Sequence, residues 1–205
     1  MQDVGIIFYI VTLIMSVVIH EVAHGYAALY FGDKTAEYAG RLTLNPIKHL
    51  DIFGSVLLPL LLVLTKAPFL IGWAKPVPYN PGNFRNIKYG TLWVASAGVL
   101  ANLSIALLFS LLIRASLAYG FLSETFISLA SVIVLVNIVL AIFNLIPIPP
   151  LDGSKILFTL LPGNAFSLVR AMEKYSIVIF LFFIFFLWKF VTPLIFKTFY
   201  LLTGL

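Results

Sequence analysis

Five long apolar stretches dominate this chain, over residues 4–31, 52–71, 91–118, 125–146 and 175–196. A helix of about 20 mostly apolar residues crosses the hydrocarbon core of a bilayer. In lipid every backbone N–H and C=O must find its partner within the protein, so runs of this length fold as helices. The charge content agrees, because 10% of the 205 residues are charged against about 25% in soluble domains. The sequence therefore predicts an all-α polytopic membrane protein that has the lipid bilayer as its solvent. Its length suits a single domain, 1–205.

The stretch 52–71 is interrupted by Pro59, and Lys66 and Pro68 cut its end. Basic residues flank it on both sides, Lys34, Arg41 and Lys48 before it and Lys75, Arg85 and Lys88 after it. The positive-inside rule puts both flanks on the cytoplasmic side, which predicts a re-entrant or embedded helix rather than a span. Four to five transmembrane helices plus this embedded helix are expected. The N-terminus then lies outside, 4–31 runs inward, 91–118 outward, 125–146 inward and 175–196 outward. Lys189 and Lys197 sit near the end that this order places outside. The opening Met1-Gln2-Asp3 lacks a basic n-region and a cleavage site, so the first stretch is expected to be retained. The formal net charge of +5 comes from basic residues scattered singly, not from a stripe. Topology accounts for them, and no nucleic-acid partner is expected.

Two segments break the helical pattern. "AEYAGRLTLNP" (36–46) alternates like a strand in its "RLTL" portion and ends in a proline turn. "GWAKPVPYNPGN" (72–83) holds three prolines and two glycines, which rules out a membrane helix. Its Lys75-Pro76-Val77-Pro78 core suits an extended edge strand. Together they predict a small membrane-associated β-hairpin element. An extended edge could pair with the backbone of another, unwound chain, so Gly72, Trp73, Ala74, Lys75, Pro76 and Val77 are candidate residues for binding an extended peptide. The competing reading is an interfacial loop anchored by Trp73 and Tyr79.

"HEVAH" (20–24) places two histidines and a glutamate inside the first apolar stretch. Each ionisable group there costs about 2.5–3.5 kcal/mol on insertion scales and marks a functional site by default. Residues four apart differ by roughly 40° around a helix, so His20 and His24 can meet one ion, with Glu21 on the same broad face. Neutral imidazole suits zinc, and a catalytic zinc site keeps one position open for water. Glu21 is placed to accept that water's proton. Buried histidines that only bond neighbouring helices are the bland alternative.

Two histidines leave the site incomplete. Asp3, Asp33, Asp51 and Asp152 are the aspartates near a membrane boundary. Asp152, in "NLIPIPPLDGSKIL" (144–157), follows an inward-running span, so topology brings it to the end where His20 and His24 sit. Asp152 could instead cap a short helix over 154–161, and His49 in "NPIKHLD" is a rival ligand that reads better as a surface or pocket-rim histidine. The absence of cysteine excludes thiolate ligands and nucleophiles.

"HEVAH" (20–24), "SAGVLAN" (96–102) and "NLIPIPPLDG" (144–153) resemble, in this order, the site-2 proteases, which are intramembrane zinc metalloproteases. "GRLTLNPIKHLD" (40–51) and "GWAKPVPYNP" (72–81) look like the compact prokaryotic subgroup without PDZ or CBS domains. The resemblance implies one zinc ion per chain, bound by His20, His24 and Asp152, with Glu21 as catalytic base. It also implies that Asn144 holds substrate or stabilises the oxyanion. Asn102 matches an asparagine of a further family motif, although Val99 stands where a proline is common. Asn102 is a candidate substrate-binding residue, or else an interhelical hydrogen-bonding group. Catalytic core about 4–160, C-terminal helix about 175–196, a transmembrane protein or peptide substrate, the prokaryotic inner membrane and an active site open to the cytoplasm complete the expectation. A pseudoprotease that binds transmembrane partners, or a metal transporter, is the rival from another class. Loss of Glu21 or a ligand would mark the former, and further ionisable groups along the spans the latter.

Overall fold

A computed structural model describes residues 2–57, 61, 64–65, 73–120 and 123–205. The helices are α1 (Gln2–Tyr30), α2 (Thr35–Tyr38), α3 (Ile87–Tyr119), α4 (Glu124–Leu145), α5 (Asp152–Leu160), α6 (Phe166–Lys174) and α7 (Ser176–Thr203). Most of α1, and the whole of α3, α4 and α7, are long and apolar enough to cross a membrane.

Local chemistry sets where each helix ends. α1 closes in a Schellman turn: Gly32 has a φ of 106°, its N–H reaches Leu29 O, and Asp33 N–H reaches Ala28 O. α3 starts at Asn86, whose side chain accepts from Tyr89 N–H, and stops at Gly120 in the left-handed region. Ser123 caps α4 by accepting from Phe126 N–H. α4 ends just before Pro147, as expected for a chain approaching a residue without an N–H.

α3 is the central helix and packs against α1, α4, α5 and α7. α1 and α4 run one way, and α3 and α7 the other. A core of Ala106, Ile113, Ala130, Val134, Ile138 and Ile195 joins α3, α4 and α7. Arg114 of α3 donates to Leu201 O and Leu202 O at 2.6 Å each, tying the last turn of α7 to the same end as the close of α3. A cation there also opposes the partial negative charge of the α7 C-terminus.

The structure corrects the expected β-hairpin, because no strand occurs among the described residues. Residues 35–38 form a helical turn, and Gly40 has a φ of 62°. Residues 73–80 carry no regular secondary structure, and Pro76 and Pro78 offer no N–H for a ladder. Isolated bonds hold the segment instead. Trp73 N–H donates to Gly54 O (3.2 Å), Lys75 N–H donates to His49 O (2.9 Å), and the Arg41 guanidinium donates to Lys75 O (2.6 Å). Of the stretch expected to re-enter, only a short π-helical turn, Ile52–Leu57, and residues 61 and 64–65 are described; the rest lies outside the described residues, as does Gly72.

Candidate metal centre

His20 and His24 lie in the second half of α1, about 9–15 Å along the axis from its end. Both are buried, and their Nε2 atoms approach to 3.1 Å. The route to Asp152 runs through the turn after α4, where Pro147, Pro149 and Pro150 end the helix and send the chain back. Gly153 makes that return possible, because a Cβ there would collide with the Leu145 carbonyl. Asp152 is the first residue of α5; Leu151 holds the cap position, so the capping role does not apply. Its Oδ2 lies 3.1 Å from His20 Nε2 and 3.0 Å from His24 Nε2. α1 comes this close to α3 because Gly98 has no side chain: a Cβ there would stand 2.5 Å from the His20 ring.

The far side of each imidazole fixes its tautomer. His24 Nδ1 is 2.6 Å from Val94 O, which can only accept, so Nδ1 carries the hydrogen. His20 Nδ1 is 2.6 Å from Asn102 Oδ1. Asn102 Nδ2 donates to Asn137 Oδ1 at 2.8 Å and Ser16 O at 3.3 Å, which leaves Oδ1 as the acceptor towards His20. Asn137 in turn donates to Ser16 Oγ (3.0 Å) and Ile133 O (2.9 Å). This network links α1, α3 and α4 at one level of the bundle.

Both Nε2 lone pairs therefore converge on a carboxylate oxygen. One ligand atom from each of His20, His24 and Asp152 lies within 4.8 Å of the others. Three acceptors gathered this closely repel one another unless a cation or protons stand among them. A set of two imidazoles and a carboxylate, with both outer nitrogens already bonded, fits a zinc ion.

The surroundings of the carboxylates bear on this chemistry. Burial opposes ionisation of Asp152, but its polar contacts with His20, His24 and Lys155 outweigh burial and hold its carboxyl well below the usual carboxylate range. Lys155 Nζ lies 3.0 Å from Asp152 Oδ1 and 5.6 Å from the centre of the Tyr79 ring. Glu21 is half-buried, and its Oε2 accepts from Val77 N–H at 2.8 Å.

The predicted residues thus divide. His20, His24 and Asp152 meet, with Glu21 next to them on α1. Asn102 has no exposed surface and ends on His20, not on open space. Asn144 is half-buried and donates to Leu140 O at 3.0 Å, one turn back on its own helix. Of the 73–77 segment, Val77 is buried and touches Glu21 through its backbone, whereas Trp73, Lys75 and Pro76 are exposed and Ala74 is half-buried. His49 is buried and its Nε2 meets Thr43 O at 2.8 Å, which corrects the surface reading. Lys155, Asn137, Ser16 and the Val77 N–H were missed. The signal for Lys155 was its place three residues after Asp152 on a helix, and for Asn137 a lone amide within an apolar span.

A buried His–His–Asp cluster with a glutamate beside it, the two histidines on a helix of membrane length, fits a metal-dependent hydrolytic centre. The profile of Peptidase family M50 matches residues 116–187. "Putative zinc metalloprotease YwhC" of Bacillus subtilis (strain 168) is 39% identical over 192 residues, covering 91% of this chain and 81% of that protein. "Putative zinc metalloprotease Rip2" of Mycolicibacterium smegmatis is 32% identical over 140 residues, 68% of this chain and 52% of that protein. No solved structure matches the chain. The chain belongs to peptidase family M50, the site-2 proteases, and is a zinc metalloprotease.

Proposed function

We propose that this chain, as one domain over 1–205 with a catalytic core about 4–160, is an intramembrane endopeptidase. It hydrolyses a peptide bond of a membrane-spanning protein or peptide. The observation that carries this reading is the convergence of Asp152 on His20 and His24, which lie within a helix long and apolar enough to cross a bilayer. His20, His24 and Asp152 hold one zinc ion. When bound, zinc polarises the scissile carbonyl and lowers the pKa of water towards about 7. Glu21 takes a proton from the attacking water as its oxygen adds to the carbonyl carbon, and delivers the proton to the amine as the C–N bond breaks. The Val77 N–H engages Oε2 of Glu21 and leaves Oε1 for this transfer. Asn102 orients His20 from behind rather than touching substrate. Asn144, after a rotamer change away from Leu140 O, stabilises the developing oxyanion. The 73–77 segment reaches the base through the Val77 N–H, which places its exposed residues Trp73, Lys75 and Pro76 where they could contact a substrate. Basic residues 34–48 and 75–88 favour a cytoplasmic opening in a prokaryotic inner membrane.

Co-expression with a tagged single-span protein tests the reading. The wild type is expected to release a shortened product, and Glu21→Gln to abolish it while retaining zinc. Undiminished cleavage by Glu21→Gln would overturn the mechanism.

A further inference from the structure

The two oxygens of Asp152 face different partners. Oδ2 meets both histidine Nε2 atoms, at 3.1 and 3.0 Å. Oδ1 points away and is held by the Lys155 ammonium at 3.0 Å. Lys155 does not reach out from a distant element. It stands three residues on in α5, so helix geometry alone brings its stem alongside the carboxylate. A second contact lies close by, since the ammonium is 5.6 Å from the centre of the Tyr79 ring, near the end of the 73–80 segment. Tyr79 in turn stacks on Phe84, with ring centres 6.1 Å apart. The cation thus lies between the aspartate and the segment whose Val77 N–H meets Glu21.

A carboxylate beside a divalent cation can bind through one oxygen or both. With both, it occupies an extra coordination position, and a zinc site with three protein ligands needs a position open for its reactant. Electrostatics alone would not select a lysine here, because an ammonium this close repels a divalent cation. Geometry supplies the reason for its presence. We infer that Lys155 is a positioning residue that engages Asp152 Oδ1, restricts Asp152 to one oxygen towards the metal and keeps the remaining coordination position free. This rests on the His20–His24–Asp152 zinc site proposed above.

Replacement of zinc by Co2+ in the purified, detergent-solubilised full chain tests it. Tetrahedral cobalt sites absorb visible light several-fold more strongly than five-coordinate ones, because stronger d–p mixing makes their d–d transitions more allowed. The wild type is expected to give the strong four-coordinate spectrum. Lys155→Met should bind Co2+ and Zn2+ at least as tightly, show a several-fold weaker visible band, and cleave substrate about 10-fold or more slowly. Lys155→Arg, which retains donors for Oδ1, should restore much of the band and the activity.

An unchanged spectrum in Lys155→Met would overturn the inference. So would loss of metal affinity to the level of Asp152→Ala, since Lys155 would then only orient the carboxylate. Lys155→Ala serves as a second test variant; failure of both to fold would equally overturn it, by making the lysine a structural residue. A wild type whose Co2+ spectrum is insensitive to His20→Ala and Asp152→Ala would instead overturn the zinc site itself, and is distinguishable from either result.

Discussion

At the scale of the residue, function rests on what stands behind each ligand as much as on the ligand. An imidazole free to rotate would present either nitrogen to a metal. Here Asn102 Oδ1 and Val94 O each take an Nδ1–H at 2.6 Å, which turns both Nε2 atoms inward. Asn102 is itself oriented by Asn137 and Ser16, so one buried amide transmits the packing of two other helices to His20. Asn102→Ala should therefore weaken zinc binding or activity by about 10- to 100-fold, as outer-shell changes do. Competition with a chromogenic chelator measures the affinity, and unchanged affinity and activity together would remove Asn102 from the site. His20, Glu21 and His24 were legible in the sequence because helical periodicity puts them on one face, and because charge within an apolar run demands a reason. Asp152 was legible because few aspartates lie at a membrane boundary. Neither Lys155 on Oδ1 nor the Val77 N–H on Glu21 was legible. The first depends on which oxygen turns inward, and the second on a contact across 56 positions of sequence.

At the scale of the element, the long helices follow directly from apolar length, and their observed ends lie within a few residues of the expected ones, except where α7 continues to Thr203. The 73–80 segment was misread as a strand because alternation and proline content describe a local tendency, whereas a ladder needs donors that Pro76 and Pro78 lack. Asp33, which follows the Schellman turn of α1, holds this segment in place. Its carboxylate is fully buried and accepts from Asn80 N–H (2.7 Å), Asn83 Nδ2 (2.7 Å) and Thr35 Oγ1 (2.6 Å). Burial alone would raise its pKa, but these hydrogen bonds from Asn83, Thr35 and Asn80 outweigh it and lower it. A folded-state pKa below the unfolded value of about 3.9 gives stability that is fully present above that value. It is lost as pH falls through the folded-state pKa. Asp33→Asn should destabilise the protein by about 1–3 kcal/mol at neutral pH, with the difference from wild type shrinking below about pH 4. Thermal unfolding in detergent across pH measures this, and a difference independent of pH would show that the charge of Asp33 is not what the segment needs.

At the scale of the whole molecule, the bundle sets the His20–His24–Asp152 cluster against a helix of membrane length. α1 and α4 end at the same side, so the turn after α4 can return Asp152 to the histidines of α1. α3 lies between them and supplies both second partners, Val94 O and Asn102. The Arg114 contacts put the end of α7 beside the end of α3, in keeping with the alternation of spans read from the sequence. Lys189 and Lys197 on α7, which strained that reading, are exposed along the helix rather than gathered into a basic loop. The central claim is that hydrolysis occurs at His20, Glu21, His24 and Asp152, on a peptide bond within or next to the membrane. The most direct test is mass spectrometry of the fragments that the purified, zinc-loaded protein releases from a single-span substrate in proteoliposomes. Product termini within the substrate's span or at its edge, absent with Glu21→Gln, are the predicted result; termini confined to its soluble flanks, or equal yields from Glu21→Gln, would contradict it.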